Sequence, residues 1–129
     1  MRDEVTDAGQ VSEVHRVTDA DTARVLGSGE APVPGTPRLI AWPAAATVRA
    51  AAPFTGVGET SVGTAVRVWY LRATPVGGRV GVTARPPDRA DARRLTLAVR
   101  AVDAAGLLVA EGEIDRAVVD RRRFREGNP

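Results

Sequence analysis

Residues 36–75 read TPRLIAWPAAATVRAAAPFTGVGETSVGTAVRVWYLRATP, and the reading of this stretch decides the fold. From Leu39 to Ala52 it is alanine-rich, with few side chains bulky enough to hold a sheet at a distance. Gly56, Gly58 and Gly63 follow, and glycine permits the tight turns and positive φ that other residues resist. Thr64 to Leu71 is rich in β-branched and aromatic residues, as a strand should be. The stretch therefore predicts a helix, a glycine-rich turn and a long strand. Thr36 is a candidate N-cap, with Pro37 at the first helical position. Pro43 lacks an amide donor and clashes one turn back, so either the main helix starts near Pro43 or it is kinked there. Pro53 and Gly56 are expected to end it.

Outward from this segment, residues 1–9 are polar and expected to be loose. Residues 10–17 (QVSEVHRV) read as a short strand, and 19–26 (DADTARVL) as a turn with a short helical piece capped by Asp19 or Asp21. Residues 27–37 (GSGEAPVPGTP) are a Gly/Pro-rich loop, of a length that suits a binding or lid segment. After the helix, strands are expected at about 62–74, 78–86, 93–103 and 107–120, with turns at 74–78, 86–91 and 103–106. Leu95, Leu97, Val99 and Ala101 share one face of the third. Strands linked in a row by turns predict an antiparallel meander. Residues 122–129 form a second charged tail. One helix and one curved antiparallel sheet cover each other's apolar faces, an α+β fold.

The 129 residues make one domain, 1–129. Aromatics are only 4%, so the core must be built from Val, Leu and Ala. Without Cys there is no disulfide, thiol nucleophile or thiolate metal site, and one His with scattered carboxylates argues against zinc. All 18 Lys-plus-Arg positions are Arg, which excludes a Schiff-base lysine. The net charge is only +2 and no basic stripe is interleaved with aromatics, so no nucleic-acid partner is expected. No apolar run approaches the ~20 residues that span a bilayer, and the N-terminus has no apolar signal core. A cytoplasmic location without membrane contact is expected.

Five stretches carry a resemblance: TPRLIAW (36–42), GETSVGTAV (58–66), ATPVGGRVGVTA (73–84), ARRLTLAVRAVDAAG (92–106) and EIDRAVVDRRRF (113–124). In this order and spacing they resemble the hotdog-fold thioesterases, in particular the fluoroacetyl-CoA thioesterase-like branch. The resemblance implies a homodimer whose sheets join edge to edge. It also implies an acyl-thioester site at the interface, with the pantetheine arm between subunits. It implies a threonine just before the helix, which Thr36 matches, and a helix carboxylate, where this chain has Ala44. The strand histidine of the family is replaced by Tyr70 in Val68-Trp69-Tyr70. Of a late His-Glu-Arg run only Arg116 is kept, and Gly63, which can bring a backbone N–H to the thioester carbonyl, is retained.

The candidate catalytic residues are therefore Thr36, Tyr70 and Glu59, and the candidate substrate-binding residues Trp42, Ala44, Gly63, Thr64, Trp69 and Arg116. Each has a plainer role. Thr36 can serve only as a helix cap, and Tyr70 can pack at an interface. Glu59 can be a turn carboxylate rather than the carboxylate nearest Gly63 in sequence. Trp42 and Trp69 can be packing residues. Arg116 either pairs with Asp or Glu or contacts a substrate carboxylate or phosphate. His15 is expected at the surface. Arg121, Arg122, Arg123 and Arg125 form a solvated face or meet coenzyme A phosphates or an acidic carrier protein. Three functions follow. The first is an enzyme acting on an acyl thioester by an altered route, or by repurposed cyclisation, dehydration or addition in a biosynthetic pathway. The second is a non-catalytic ligand-binding protein, and the third an inactive partner in a mixed dimer. No cofactor is expected beyond the coenzyme A or phosphopantetheine that carries the acyl group, and an acyl carrier protein is a possible partner.

Overall fold

The structure is a computed structural model and describes residues 4–6, 8–87, 89–91 and 93–127. The strands are β1 (Glu4–Val5), β2 (Val11–Arg16), β3 (Glu59–Tyr70), β4 (Arg79–Ala84), β5 (Arg89–Asp91), β6 (Arg94–Asp103) and β7 (Leu108–Asp120). The helices are α1 (Ala23–Leu26), α2 (Thr36–Ala51) and α3 (Arg121–Arg125), with 3-10 turns at Asp19–Asp21 and Ala52–Phe54. All pairings are antiparallel. The strand order is β1-β2-β4-β6-β7-β3, and β5 pairs with β6.

Helix α2 runs unbroken through Pro43. An interior proline costs about 3 kcal/mol. Against it, the helix buries Leu39, Trp42, Pro43, Ala46, Thr47, Ala50 and Ala51, and one fully buried large apolar side chain is worth about 1.5–3 kcal/mol. Burial outweighs the lost hydrogen bond. The cap is Gly35, with extended φ −75° and ψ 155°, so Thr36 is the first helical residue and not the cap. A Cβ on Gly35 would lie 2.6 Å from Ser28 Oγ and 3.0 Å from Ala23 Cα, which explains the glycine. Ala46, Ala50 and Ala51 pack into one cluster with Val80, Val82, Leu97, Val99, Val109 and Ile114 of the sheet.

The expected meander holds for β4, β6 and β7 but not for β3, which lies at the far edge beside β7. Residues 71–78 cross the end of the sheet instead of closing a hairpin. Leu71 and Arg72 donate their N–H groups to Val109 O at 2.7 and 3.2 Å. Gly77, at φ +91°, donates to Val17 O, and Val17 donates to Gly78 O. The turn residues at 74–78 thus dock on the end of β2. Residues 89–91, expected in a turn, form β5; Asp88 of that turn lies outside the described residues. The short helical pieces are capped by Thr18 and Thr22 rather than by Asp19 or Asp21, although Asp21 accepts the Thr18 N–H at 2.8 Å. The expected loose tails carry structure at Glu4–Val5 and in α3, whose N-cap is Asp120. No helix of the described residues is long and apolar enough to cross a membrane.

Gly112 sits opposite Val68 on one side and Val99 on the other. A Cβ there would be 2.7 Å from Val68 Cα and would run into the Arg67 carbonyl oxygen. Gly112→Ala should therefore destabilise the fold by about 1–3 kcal/mol. Urea unfolding checks this: the midpoint falls while the slope is unchanged. An unchanged midpoint would contradict the close β3–β7 approach.

Candidate functional site

The sequence candidates fall into two groups on α2 and β3. The first surrounds the start of α2. Tyr70, the last residue of β3, donates its hydroxyl to Pro34 O at 2.8 Å. Pro34 is also bridged to Thr22, and Ala23 donates to Val33 O at 2.8 Å. Arg38 faces Asp21 at 3.0 Å. The loop before α2 is thereby fastened to α1 on one side and to β3 on the other. This brings Tyr70 beside the turn that leads into Thr36, which is exposed. Burial raises the Tyr70 pKa above the ordinary phenol value, so the ring stays neutral near pH 7. Tyr70 is a held donor and not a base.

The second group lies further along the helix. Ala44 is partly buried against the core, as are Val68 and Tyr70. Thr47 donates its hydroxyl to Ala44 O at 2.7 Å and accepts from Arg116 Nη1 at 3.2 Å. Arg116 also donates from Nε to Ser61 Oγ at 2.8 Å and from Nη2 to Ser61 O at 2.9 Å. It is 7% exposed, and burial lowers its pKa below the ordinary guanidinium value. The expected Asp or Glu partner is absent among the described residues. Gly63 is exposed, and a Cβ there would lie 3.8 Å from Arg116 Nη1. Thr64 is exposed and forms a bulge, its hydroxyl 3.3 Å from Asp115 O.

The remaining candidates lie apart from both groups. Glu59, at the opposite end of β3 from Tyr70, accepts from Arg93 Nη2 at 2.6 Å and from Gly56 N at 2.8 Å. The Gly56 N–H and Arg93 hold its pKa below the ordinary carboxylate value, which makes it a weak base. Trp42 is buried and stacked on His15, with ring centroids 4.8 Å apart and planes within 9°. His15 is thus not a free surface imidazole; its Nε2 is 3.5 Å from Glu13 Oε1, and Glu13 Oε2 is 3.1 Å from Arg49 Nη1. Trp69, 62% exposed, lines an open concavity of about 490 Å³ with Arg85, Arg100 and Glu111. The two tryptophans do not meet. Pro34, Thr47 and Ser61 were missed by sequence reasoning. A carbonyl acceptor and two common hydroxyls carry no local signal, and only the folded contacts mark them.

The sequence profile of the fluoroacetyl-CoA-specific thioesterases matches residues 17–122. The chain belongs to this family. A fluoroacetyl-CoA thioesterase of Streptantibioticus cattleyicolor is 40% identical over 86 residues, which are 67% of this chain and 58% of the relative. A solved variant of the fluoroacetyl-CoA-specific thioesterase FlK, in complex with fluoroacetate and CoA, is 34% identical with a TM-score of 0.80. That match covers 89% of this chain and 95% of the other. A thioesterase-superfamily protein of Thermus thermophilus, 24% identical, shares the fold at a TM-score of 0.84 over 98% of this chain and 91% of its own. The fold is the hotdog fold, one long helix wrapped by an antiparallel sheet.

Because the Tyr70 hydroxyl fastens a loop, Tyr70→Phe should act on the loop first. A lost neutral hydrogen bond predicts a stability loss of about 1 kcal/mol. Amide exchange should accelerate at the N–H groups of Ala23 and Gly35, which close the loop onto its neighbours. Unchanged exchange at both amides would remove this role.

Proposed function

We propose that the chain is a thioesterase-like hotdog enzyme that takes a coenzyme A acyl thioester and acts on it without the family's carboxylate–imidazole pair. One observation carries this reading: Tyr70, at the histidine position, is a neutral donor committed to Pro34 O, while Gly63 and Arg116 remain together. In this account Gly63 N–H stabilises negative charge developing on the acyl carbonyl oxygen, and the Arg116 guanidinium beside it supplies a positive potential to the acyl pocket. Thr36 offers the hydroxyl that orients substrate or water. Ala44 leaves room where a carboxylate is expected, and no side chain of this group serves as a general base at neutral pH.

The site is composite in this proposal. Gly63 and Tyr70 are seven residues apart on β3, or about 23 Å at the usual strand rise. One chain therefore keeps its two groups too far apart to hold one thioester. Among the described residues β3 is an edge strand that pairs with β7 only, and Val66 and Trp69 on it are exposed. Antiparallel pairing of two β3 edges, with a two-fold axis at Arg67, would bring Gly63 of the partner subunit close to Tyr70, the extra residue of the bulge at Thr64 taking up the odd step between them. A homodimer then has two complete sites. An acyl carrier protein would present the same thioester on a phosphopantetheine arm and remains the alternative donor in this proposal.

Turnover on a panel of short acyl-CoA thioesters tests the reading. The expected result is slow hydrolysis above background that drops about tenfold or more in Thr36→Ala. Restoring the pair with Ala44→Glu and Tyr70→His together should raise the rate by about 10². Background rates in the wild type and in the restored pair would remove the enzymatic reading. Because Tyr70 is held by a loop carbonyl, a second reading is binding without turnover. A melting temperature raised by acyl-CoA in the absence of hydrolysis would select it.

A further inference from the structure

The fold buries two charged side chains among the described residues, and it treats them differently. Glu13 is 6% exposed and has Arg49 Nη1 at 3.1 Å. Arg116 is 7% exposed and has only neutral acceptors: Ser61 Oγ, Ser61 O and Thr47 Oγ1. A buried cation without a counter-charge is costly, because desolvation is not offset by an ion pair. Two features of the surroundings open this charge to an incoming anion. Gly63 has no side chain, and an atom in the place of its Cβ would lie 3.8 Å from Nη1. Ala44, whose carbonyl accepts from the same Thr47 hydroxyl, contributes a methyl group where a carboxylate would repel an anion. The cleft of about 360 Å³ that Arg116 also borders with Thr64 and Thr96 opens on the other face of the sheet, where Thr96 and Asp115 point, so the way to the guanidinium is at Gly63. Two carboxylates line that cleft. Asp115 is engaged by both Arg67 and Thr96, and Asp91 lies across from Arg94 in the β5–β6 pairing.

We propose that the substrate supplies the missing charge: an acyl thioester whose acyl chain ends in a carboxylate. This inference rests on the acyl-thioester reading above and names its substrate class. Nε and Nη2 donate to Ser61, and Nη1, the nitrogen next to the glycine opening, gives one N–H to Thr47 Oγ1 and keeps a second, which receives one carboxylate oxygen. Charge-assisted hydrogen bonds are roughly twice as strong as neutral ones, so the acyl carboxylate becomes the main determinant of selectivity.

The test compares non-hydrolysable analogues of succinyl-coenzyme A and butyryl-coenzyme A, which match in chain length and differ in the terminal carboxylate. Titration calorimetry on the whole protein should give tighter binding of the succinyl analogue by about 1.4 kcal/mol or more, a tenfold ratio. Arg116→Gln should erase the ratio. Should that variant fail to fold, Gly63→Ala serves instead, since its Cβ makes only an ordinary contact and covers Nη1; the ratio should fall there too. Equal affinity of the two analogues overturns this inference alone, as would a partner carboxylate that already neutralises Arg116. A ratio that survives both substitutions overturns it as well. Binding of neither analogue removes it together with the acyl-thioester reading.

Discussion

The buried guanidinium of Arg116 joins the three elements on which the site depends. It leaves β7, bonds both a side chain and a carbonyl of Ser61 on β3, and reaches Thr47 on α2. The core around it is built from small aliphatic residues, with Ala46, Ala50 and Ala51 on the helix and Val and Leu on the sheet. Such a core sets the helix close to the strands, and the guanidinium adds directional contacts between them, because its donors point at fixed angles. In the site proposed above the same group also carries the positive charge.

That double role bears on how the chemistry is divided. An enzyme that hydrolyses thioesters with a carboxylate and an imidazole relies on proton transfer. In the proposed site the helix position is a methyl group and the strand position is a phenol whose proton is donated to Pro34 O. What remains is electrostatic: a backbone N–H at Gly63 and a cation beside it. Such groups stabilise a developing oxyanion or enolate and hold an anionic ligand, but they do not activate water. The edge position of β3 has the same consequence at a larger scale. A long strand with one open side invites pairing, and the strand separates the two groups of candidates by most of its length.

Much of the fold was legible in the sequence. The alanine run and the β-branched run gave α2 and β3, and the Gly and Pro punctuation located the later strands. The crossover of 71–78 was not legible, because a Thr-Pro-Val-Gly-Gly turn looks the same whether it closes a hairpin or docks on a distant strand. Thr36, Ala44, Gly63, Tyr70 and Arg116 were legible only as candidates for the site proposed above. Their partners were not. A hydroxyl bonded to the Pro34 carbonyl, a histidine stacked on Trp42 and an arginine satisfied by Ser61 and Thr47 are contacts between residues far apart in sequence. Such residue types occur everywhere, and only folding selects the pairs. Glu59 shows the converse: proximity to Gly63 in sequence suggested a base, while the strand carried it away to Arg93.

The most direct measurement is a crystal structure of the protein with a non-hydrolysable acyl-coenzyme A analogue. The account predicts two copies joined along β3, with the acyl carbonyl oxygen within hydrogen-bond distance of Gly63 N and the acyl terminus directed to Arg116. It also predicts Tyr70 of the other copy still bonded to Pro34. An analogue bound away from Gly63 and Arg116, or held entirely within one chain, would contradict it.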